Sequence, residues 1–130
     1  MSTLFSKIIS GEIPCHKIAE DDRYFAFLDI RPVKMGHVLV IPKTEIDYFF
    51  DLNDETLSGI MVFARRVAKA LKKVVPCARV GVMVAGLEVP HAHVHLIPFD
   101  TIRDLNFANA RVVDKQVLAE LAAKIRSQLD

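Results

Sequence analysis

The stretch at residues 24–43, YFAFLDIRPVKMGHVLVIPK, contains two apolar runs separated by a short break. Residues 24–30 and 37–43 are rich in aromatic and β-branched side chains, which are typical of β-strands. Pro32 and Gly36 interrupt the pattern, as expected of a loop. Because the two runs are neighbours in sequence, this stretch predicts a pair of antiparallel strands.

Three further stretches are expected to form strands, namely residues 17–22, 79–84 and 91–97. These strands follow one another in sequence and are set apart from the helical segments, which favours an α+β fold with a mostly antiparallel five-stranded sheet. A length of 130 residues predicts a single domain, residues 1–130.

Helical periodicity appears in three segments. A short helix is expected within residues 6–12, ending at Gly11. A long central helix is expected to begin after Asn53 and to end before Pro76. Its predicted buried stripe is Leu57, Ile60, Met61, Ala64, Val67, Ala68 and Leu71. A C-terminal helix is expected over about residues 114–129, with a buried stripe of Val117, Leu118, Leu121, Ala122, Ile125 and Leu129.

The composition excludes several classes of function. Lys and Arg number 17 against 16 Asp and Glu, so no broad charged surface for nucleic acid is expected. No apolar run approaches the ~20 residues of a membrane span, and the N-terminal residues do not resemble a signal peptide. Cys15 and Cys77 lack the CxxC spacing of a redox or zinc motif. A reduced, cytoplasmic protein that contacts neither membrane nor nucleic acid is expected.

Three histidines alternate in the stretch VPHAHVHLIPF at residues 89–99. On an extended strand, His91, His93 and His95 would share one face and line a polar surface or cleft. The apolar residues between them, Ala92, Val94 and Leu96, would pack on the core.

Spacing alone leaves three interpretations of these imidazoles. They are a solvated polar face, a metal site, or a nucleophilic centre. A zinc site needs three or four ligands, and His37 is the other strong candidate in the chain. A neutral imidazole also has a free lone pair that can attack phosphorus and divide one displacement into two easier steps.

The residues HAHVHLI resemble the motif of the histidine triad (HIT) family. The resemblance extends to SKIISGEIP, to EDDRYFAFLDIRPVKMGHVLVIPK and to the long helix, which occur in the family's order and spacing. It covers about residues 3–99 and is strongest with the Hint-like branch and its bacterial relatives.

The resemblance implies roles for four histidines. His93 would be the nucleophile that attacks the α-phosphate of a nucleotide. His95 would bind the phosphate oxygens or the scissile bridge, and His91 would support His93. His37 would complete the hydrogen-bonded group and help to fix the tautomers.

A nucleotide pocket is implied as well. Asp29 would accept hydrogen bonds from the ribose hydroxyls, and the apolar walls around a purine base would be Phe5, Ile8, Phe27 and Ile30. Glu88 and Val89 are also expected to contact the nucleotide. The family's substrates are nucleoside phosphoramidates, acyl-nucleotides and dinucleoside polyphosphates, its members are commonly homodimers, and neither metal nor cofactor is implied for the chemical step.

The chain departs from the family pattern in two places. Many bacterial relatives hold a structural zinc with CxxC and a later histidine, whereas Thr3, Ser6 and Glu45 stand here, so no such zinc is expected. Met83 and Leu87 stand where the family usually has Asn and Gln. Because those residues orient the phosphate and leaving group, a nucleotide-binding module with little or no turnover is the alternative to an enzyme.

Overall fold

The computed structural model describes residues 2–130 and contains one five-stranded antiparallel sheet. The strand order is β1-β2-β3-β5-β4, and every neighbouring pair is antiparallel. The strands are β1 (Lys17–Glu20), β2 (Tyr24–Leu28), β3 (Val38–Pro42), β4 (Arg79–Met83) and β5 (Val94–Phe99). The helices are α1 (Leu4–Ile9), α2 (Asp54–Val74) and α3 (Lys115–Arg126). The predicted α+β class, with a five-stranded sheet, a long central helix and a C-terminal helix, is confirmed.

The sheet carries apolar side chains on both faces, since consecutive residues of a strand point to opposite sides. In β2 and β3, one alternate set packs with α2 and α3 in the larger core, and it comprises Tyr24, Ala26, Leu28, Val38 and Val40. The other set packs under α1, and it comprises Phe25, Phe27, Leu39 and Ile41. Both central strands are therefore buried along their whole length.

Helix α2 has the predicted N-cap, because the Asn53 side chain accepts a hydrogen bond from the Thr56 amide at 2.8 Å. Its predicted stripe needs correction at three residues. Met61 is exposed, whereas Phe63 and Ala70 are buried. Met61 follows the buried Ile60 by about 100° around the helix axis, which turns it away from the sheet.

The other two helices differ from prediction at their ends. Helix α1 begins two residues early, at Leu4, because Thr3 caps it, and the glycine beyond its end, Gly11, has φ of 84°. Helix α3 ends at Arg126 rather than at residue 129. Val117, predicted to be buried, is exposed, since the arc of α3 that meets the sheet and α2 is Leu118, Ala122 and Ile125.

Strand β5 begins at Val94, not at residue 91. The amide of Ala92 donates instead to the carbonyl of Ile46 at 2.7 Å, so the chain before Val94 is not part of the sheet ladder. Within β5, Val94 and Leu96 pack in the larger core as predicted. His95 lies opposite Leu39 and Met83, on the α1 face.

Among the helices of residues 2–130, none is both long and apolar enough to cross a membrane.

Candidate active site

A cavity of about 410 Å³ opens on the α1 face of the sheet. Six of the predicted site residues line it, namely Asp29, Ile30, His37, Glu88, His93 and His95. The remaining predicted residues do not line it, namely Phe5, Ile8, Phe27, Val89 and His91. Arg31, Val33, Ala85, Gly86, Leu87, Phe107 and Ala110 complete the lining.

The four predicted histidines are buried, with at most 8% of any side chain exposed. They do not form a solvated polar face. Burial of this degree requires each imidazole to have hydrogen-bond partners, and those partners determine which ring nitrogen carries the proton.

His37 and His95 form one ordered pair. The Val33 amide donates to His37 Nδ1 at 3.2 Å. His37 must therefore carry its proton on Nε2, and it donates that proton to His95 Nδ1 at 2.9 Å. Since His95 Nδ1 is an acceptor, a neutral His95 has its proton on Nε2 and presents an N–H donor on the cavity side.

His93 has the opposite arrangement. Its Nδ1 lies 2.7 Å from the carbonyl oxygen of His91, which only accepts, so Nδ1 carries the proton. In the neutral ring, Nε2 then has the lone pair. No residue within 2–130 hydrogen-bonds to this Nε2, and the ring lines the cavity. A neutral His93 thus presents the lone pair of Nε2 to the cavity beside the N–H donor of His95, and the two ring centroids are 4.9 Å apart.

His91 holds the backbone on which His93 depends. Its Nε2 lies 2.7 Å from the carbonyl oxygen of Pro42 and must donate. Its Nδ1 therefore accepts, from the hydroxyl of Thr3 at 2.8 Å. Because both nitrogens are occupied, His91 anchors residues 91–93 to the end of β3 and to α1.

Burial keeps His37, His91 and His95 neutral. Desolvation, followed by the nearby His93, lowers the pKa of His37 to about 4. Desolvation, together with His37 and His93, lowers the pKa of His95 to about 3. The pKa of His91 is also lowered, again chiefly by burial. The hydrogen-bond directions derived for these three rings therefore hold at neutral pH.

Asp29 lies at the cavity edge after β2. One oxygen accepts from the Arg31 amide at 2.8 Å, and the other is 3.7 Å from His37 Nε2, beyond hydrogen-bonding distance. Burial raises the pKa of Asp29, and the nearby Glu88 raises it further. Asp29 thus presents a carboxylate oxygen to the cavity, and Glu88 adds a second negative charge to the same wall.

The predicted base-binding residues Phe5, Ile8 and Phe27 form one apolar cluster, against which Val89 packs. The ring of Phe5 meets His93 edge to face, with centroids 5.0 Å apart. Ile30 is separate from this cluster and exposed on the cavity rim. The predicted base-binding residues are thus divided between a buried cluster beside His93 and the exposed Ile30 on the cavity rim.

Three side chains of residues 2–130 could jointly hold a metal ion, namely Asp29, His37 and His95. Their ligand atoms lie within 4.8 Å of one another. His95 is the triad histidine that takes part. A metal there would replace the proton shared between His37 and His95, so metal binding and the hydrogen-bonded pair exclude each other.

The positions Thr3, Ser6 and Glu45, where the family pattern would place zinc ligands, are joined here by hydrogen bonds. Glu45 accepts from the Thr3 amide at 3.0 Å and from the Ser6 hydroxyl. The Thr3 hydroxyl also accepts from the Ser6 amide and caps α1. With the Thr3–His91 bond, this network connects α1, the segment after β3 and the first triad histidine.

Sequence reasoning did not identify Phe107, which lies in a 3-10 turn at Phe107–Asn109. Its ring packs on His95 with centroids 4.9 Å apart and lines the cavity. No spacing rule connects it with the triad, because the contact arises from an irregular segment that folds back after β5.

Replacing Thr3 by valine is expected to lower the free energy of unfolding by about 1–2 kcal/mol, because both the α1 cap and the donor to the buried His91 are lost. Urea unfolding at pH 7.5 measures this. Thr3→Ser, which keeps the hydroxyl, serves as the control. Equal stability of the valine variant and the wild type would contradict the role assigned to Thr3.

Known proteins match this chain in sequence and in fold. The family profile "HIT domain" matches residues 10–102. An adenosine 5′-monophosphoramidase of Schizosaccharomyces pombe is 39% identical over 99 residues, which are 75% of this chain and 74% of that protein. An adenosine 5′-monophosphoramidase of Saccharomyces cerevisiae is 43% identical over 96 residues, or 73% of this chain and 61% of that protein.

Solved structures match along nearly the whole chain. A Hit-like protein involved in cell-cycle regulation from Bartonella henselae is 34% identical, with a TM-score of 0.86 over 98% of this chain and 96% of that one. A Zn-bound histidine triad family protein from Mycobacterium smegmatis is 30% identical, with a TM-score of 0.84 over 98% and 93%. The histidine motif, the fold and these matches agree, and the chain belongs to the histidine triad (HIT) family.

Proposed function

We propose that the protein is a nucleotide hydrolase or nucleotidyl transferase that acts on the α-phosphate of nucleoside phosphoramidates or related nucleotide conjugates. One observation carries the proposal. The hydrogen bond from His93 Nδ1 to the His91 carbonyl leaves Nε2 unprotonated at the cavity, next to the N–H donor of His95. A fixed nucleophile and a fixed donor are what phosphoryl attack requires.

In the first step, the lone pair of His93 Nε2 forms a bond to the α-phosphorus, and the bond from phosphorus to the bridging nitrogen or oxygen breaks. The leaving group departs with that electron pair and takes up a proton from solvent. In the second step, a water oxygen attacks the phosphorus and loses a proton to solvent as the bond to His93 Nε2 breaks, which releases the nucleoside monophosphate. The two steps together consume one water molecule.

The chain's own residues assist both steps. The His91 carbonyl stabilises the positive charge that develops on His93 when Nε2 bonds to phosphorus. His95 Nε2–H donates to a phosphoryl oxygen or to the bridging atom. His37 keeps His95 in the donor tautomer. Neither step requires a change of tautomer before attack.

The remaining cavity residues indicate how the ribose, the base and the leaving group would be bound. Asp29 accepts from the ribose hydroxyls, and the base lies beside the exposed Ile30, while the buried cluster of Phe5, Ile8 and Phe27 supports this wall from below. Glu88, at the rim with the 93% exposed Leu87, disfavours an anionic leaving group and suits an amine. The two yeast relatives named as adenosine 5′-monophosphoramidases support this substrate class.

The protein is expected to release AMP from adenosine 5′-phosphoramidate in excess EDTA, because no metal takes part in the proposed steps. Chromatography of the nucleotide products measures this. A protein that binds AMP but forms none from the phosphoramidate would favour the alternative, a nucleotide-binding module. Activity that EDTA abolishes and zinc restores would favour a metal centre at Asp29, His37 and His95.

The proposal includes a homodimer. Strand β4 pairs with β5 on one side and ends the sheet on the other. Val82 and Val84, on and just after this edge strand, are exposed, and an open apolar edge suits pairing with a second copy. Sedimentation equilibrium measures the oligomeric state.

A cytoplasmic location is also part of the proposal. Cys15 and Cys77 are both free thiols, as is usual for proteins in a reducing compartment.

A further inference from the structure

The segment between β5 and α3 is built as part of the cavity although it lies mostly beyond the residues matched by the family profile, 10–102. Asp104 accepts from the amides of Asp100 at 2.9 Å and Thr101 at 3.1 Å. The side chain of Asn109 donates to the carbonyl of Arg103 at 2.8 Å. These bonds give the segment a defined shape without an α-helix or a strand.

The segment is also attached to the loop before β3. The amide of Arg111 donates to the carbonyl of Pro32 at 3.3 Å. Asn106 Oδ1 accepts from the Ala108 amide at 2.8 Å and caps the 3-10 turn that carries Phe107. Phe107 is consequently held in place from both sides of the turn.

Phe107 contacts the proposed phosphate donor directly. Its ring meets His95 at an interplanar angle of 60° and a centroid distance of 4.9 Å. On its other sides His95 meets the rings of His37 at 5.1 Å and His93 at 4.9 Å. His95 is thus enclosed by three rings, and Phe107 is the one that has no polar atom and is 39% exposed.

We propose that Phe107 is a positioning residue for His95, holding the ring so that Nδ1 accepts from His37 while Nε2–H faces the cavity. This inference rests on the proposed function for its catalytic consequence, although the ring geometry can be tested without turnover. Phe107 acts by shape and by exclusion of water. A single hydrogen bond from His37 leaves rotation about that bond free, whereas an aromatic edge-to-face contact restricts it.

The groups around His95 determine how its pKa should change when Phe107 is removed. His37 and His93 are the neighbouring imidazoles, and Asp29 offers an oxygen within 4.8 Å of the ligand atoms of His37 and His95. Removal of Phe107 would admit water to the exposed side of His95. Because burial is the main cause of its lowered pKa, that pKa is expected to rise towards the ordinary value of histidine.

The test compares Phe107→Ala with Phe107→Leu, which keeps most of the bulk, and with Val112→Ala, an exposed apolar residue of the same segment. Nitrogen NMR of the histidine rings reports the tautomer and titration of His95, whose signals are assigned from their absence in His95→Asn. Kinetics with adenosine 5′-phosphoramidate report kcat and KM separately.

Phe107→Ala is expected to lower kcat by about 10- to 100-fold with little change in KM, because a displaced donor affects the reacting group more than nucleotide binding. The His95 signals should show averaged tautomers and titrate at higher pH than in the wild type. Phe107→Leu should recover most of kcat, and Val112→Ala should match the wild type.

Unchanged His95 ring signals in Phe107→Ala would overturn the inference, whatever the rates. Altered signals in Phe107→Ala with unaltered kcat would overturn its catalytic consequence. If the wild type turns over no nucleotide substrate, the proposed function fails, and the NMR comparison still decides whether Phe107 positions His95.

Discussion

Replacing His93 by alanine is expected to lower AMP release from adenosine 5′-phosphoramidate by about 10⁴-fold or more, since loss of a covalent nucleophile leaves only binding and electrostatic effects. The variant removes the cavity-lining imidazole whose Nδ1 is bonded to the His91 carbonyl, so that Nε2 is left for attack. Steady-state rates of AMP release measure the effect, and single-turnover experiments confirm that the chemical step is the one slowed.

The matched control is His16→Ala. His16 is the one histidine of the five that stands outside the cluster. It precedes β1 and does not line the cavity. Its variant should retain wild-type activity within about twofold, as expected of a substitution away from the reacting groups.

Thermal unfolding and AMP binding should be near normal in His93→Ala. Substantial turnover by a folded His93→Ala variant would exclude a nucleotidyl intermediate on His93.

Stability is expected to fall steeply between pH 7 and pH 5, because the lowered pKa values of His37 and His95 are a property of the folded state. In the unfolded chain, histidine binds a proton as the pH falls through about 6.5. In the folded protein, His37 and His95 stay neutral until pH about 4 and about 3. The unfolded state therefore binds more protons across this interval, and acid favours it.

Each of the two histidines should cost about 2 kcal/mol of unfolding free energy by pH 5, as linkage between pKa and stability gives for shifts of this size. Urea unfolding at pH 7.5 and pH 5 measures the loss. Asp29, whose pKa is raised, works in the opposite direction at lower pH, so the comparison stops at pH 5.

The variant His95→Asn should lose about 2 kcal/mol less stability between those two pH values than the wild type, because one titrating group is gone. His16→Asn should keep the wild-type dependence. A wild-type protein of equal stability at pH 7.5 and pH 5 would show that these imidazoles titrate in the folded state as they do in the unfolded chain.

Hydrophobic periodicity predicted most of the sheet and both longer helices, since it reports directly which side chains must be buried. The ends of the strands and the buried face of α2 were predicted less accurately. Strand β5 begins at Val94 because Ala92 bonds to Ile46, a residue far away in sequence. The exposed Met61 and the buried Phe63 of α2 depend on how the helix is rotated against the sheet, and that rotation is a tertiary property.

The candidate site divides in the same way. The sequence identified all four clustered histidines, because the HxHxH spacing and GHVLVIPK are local patterns. Phe107 has no such pattern. The hydrogen-bonded group of Thr3, Ser6, Glu45 and His91 was recognisable as a set of departures from a family motif, but its bonding was not.

By itself, the sequence determined the fold class, the family and the residue types available for chemistry, since these follow from spacing and burial tendency. The tertiary structure alone decided the proton positions. The tautomer of His93 depends on a carbonyl, and that of His95 depends on His37, which in turn depends on the Val33 amide. An imidazole is nucleophile or donor according to which nitrogen its neighbours occupy, and those neighbours become adjacent only when the chain folds.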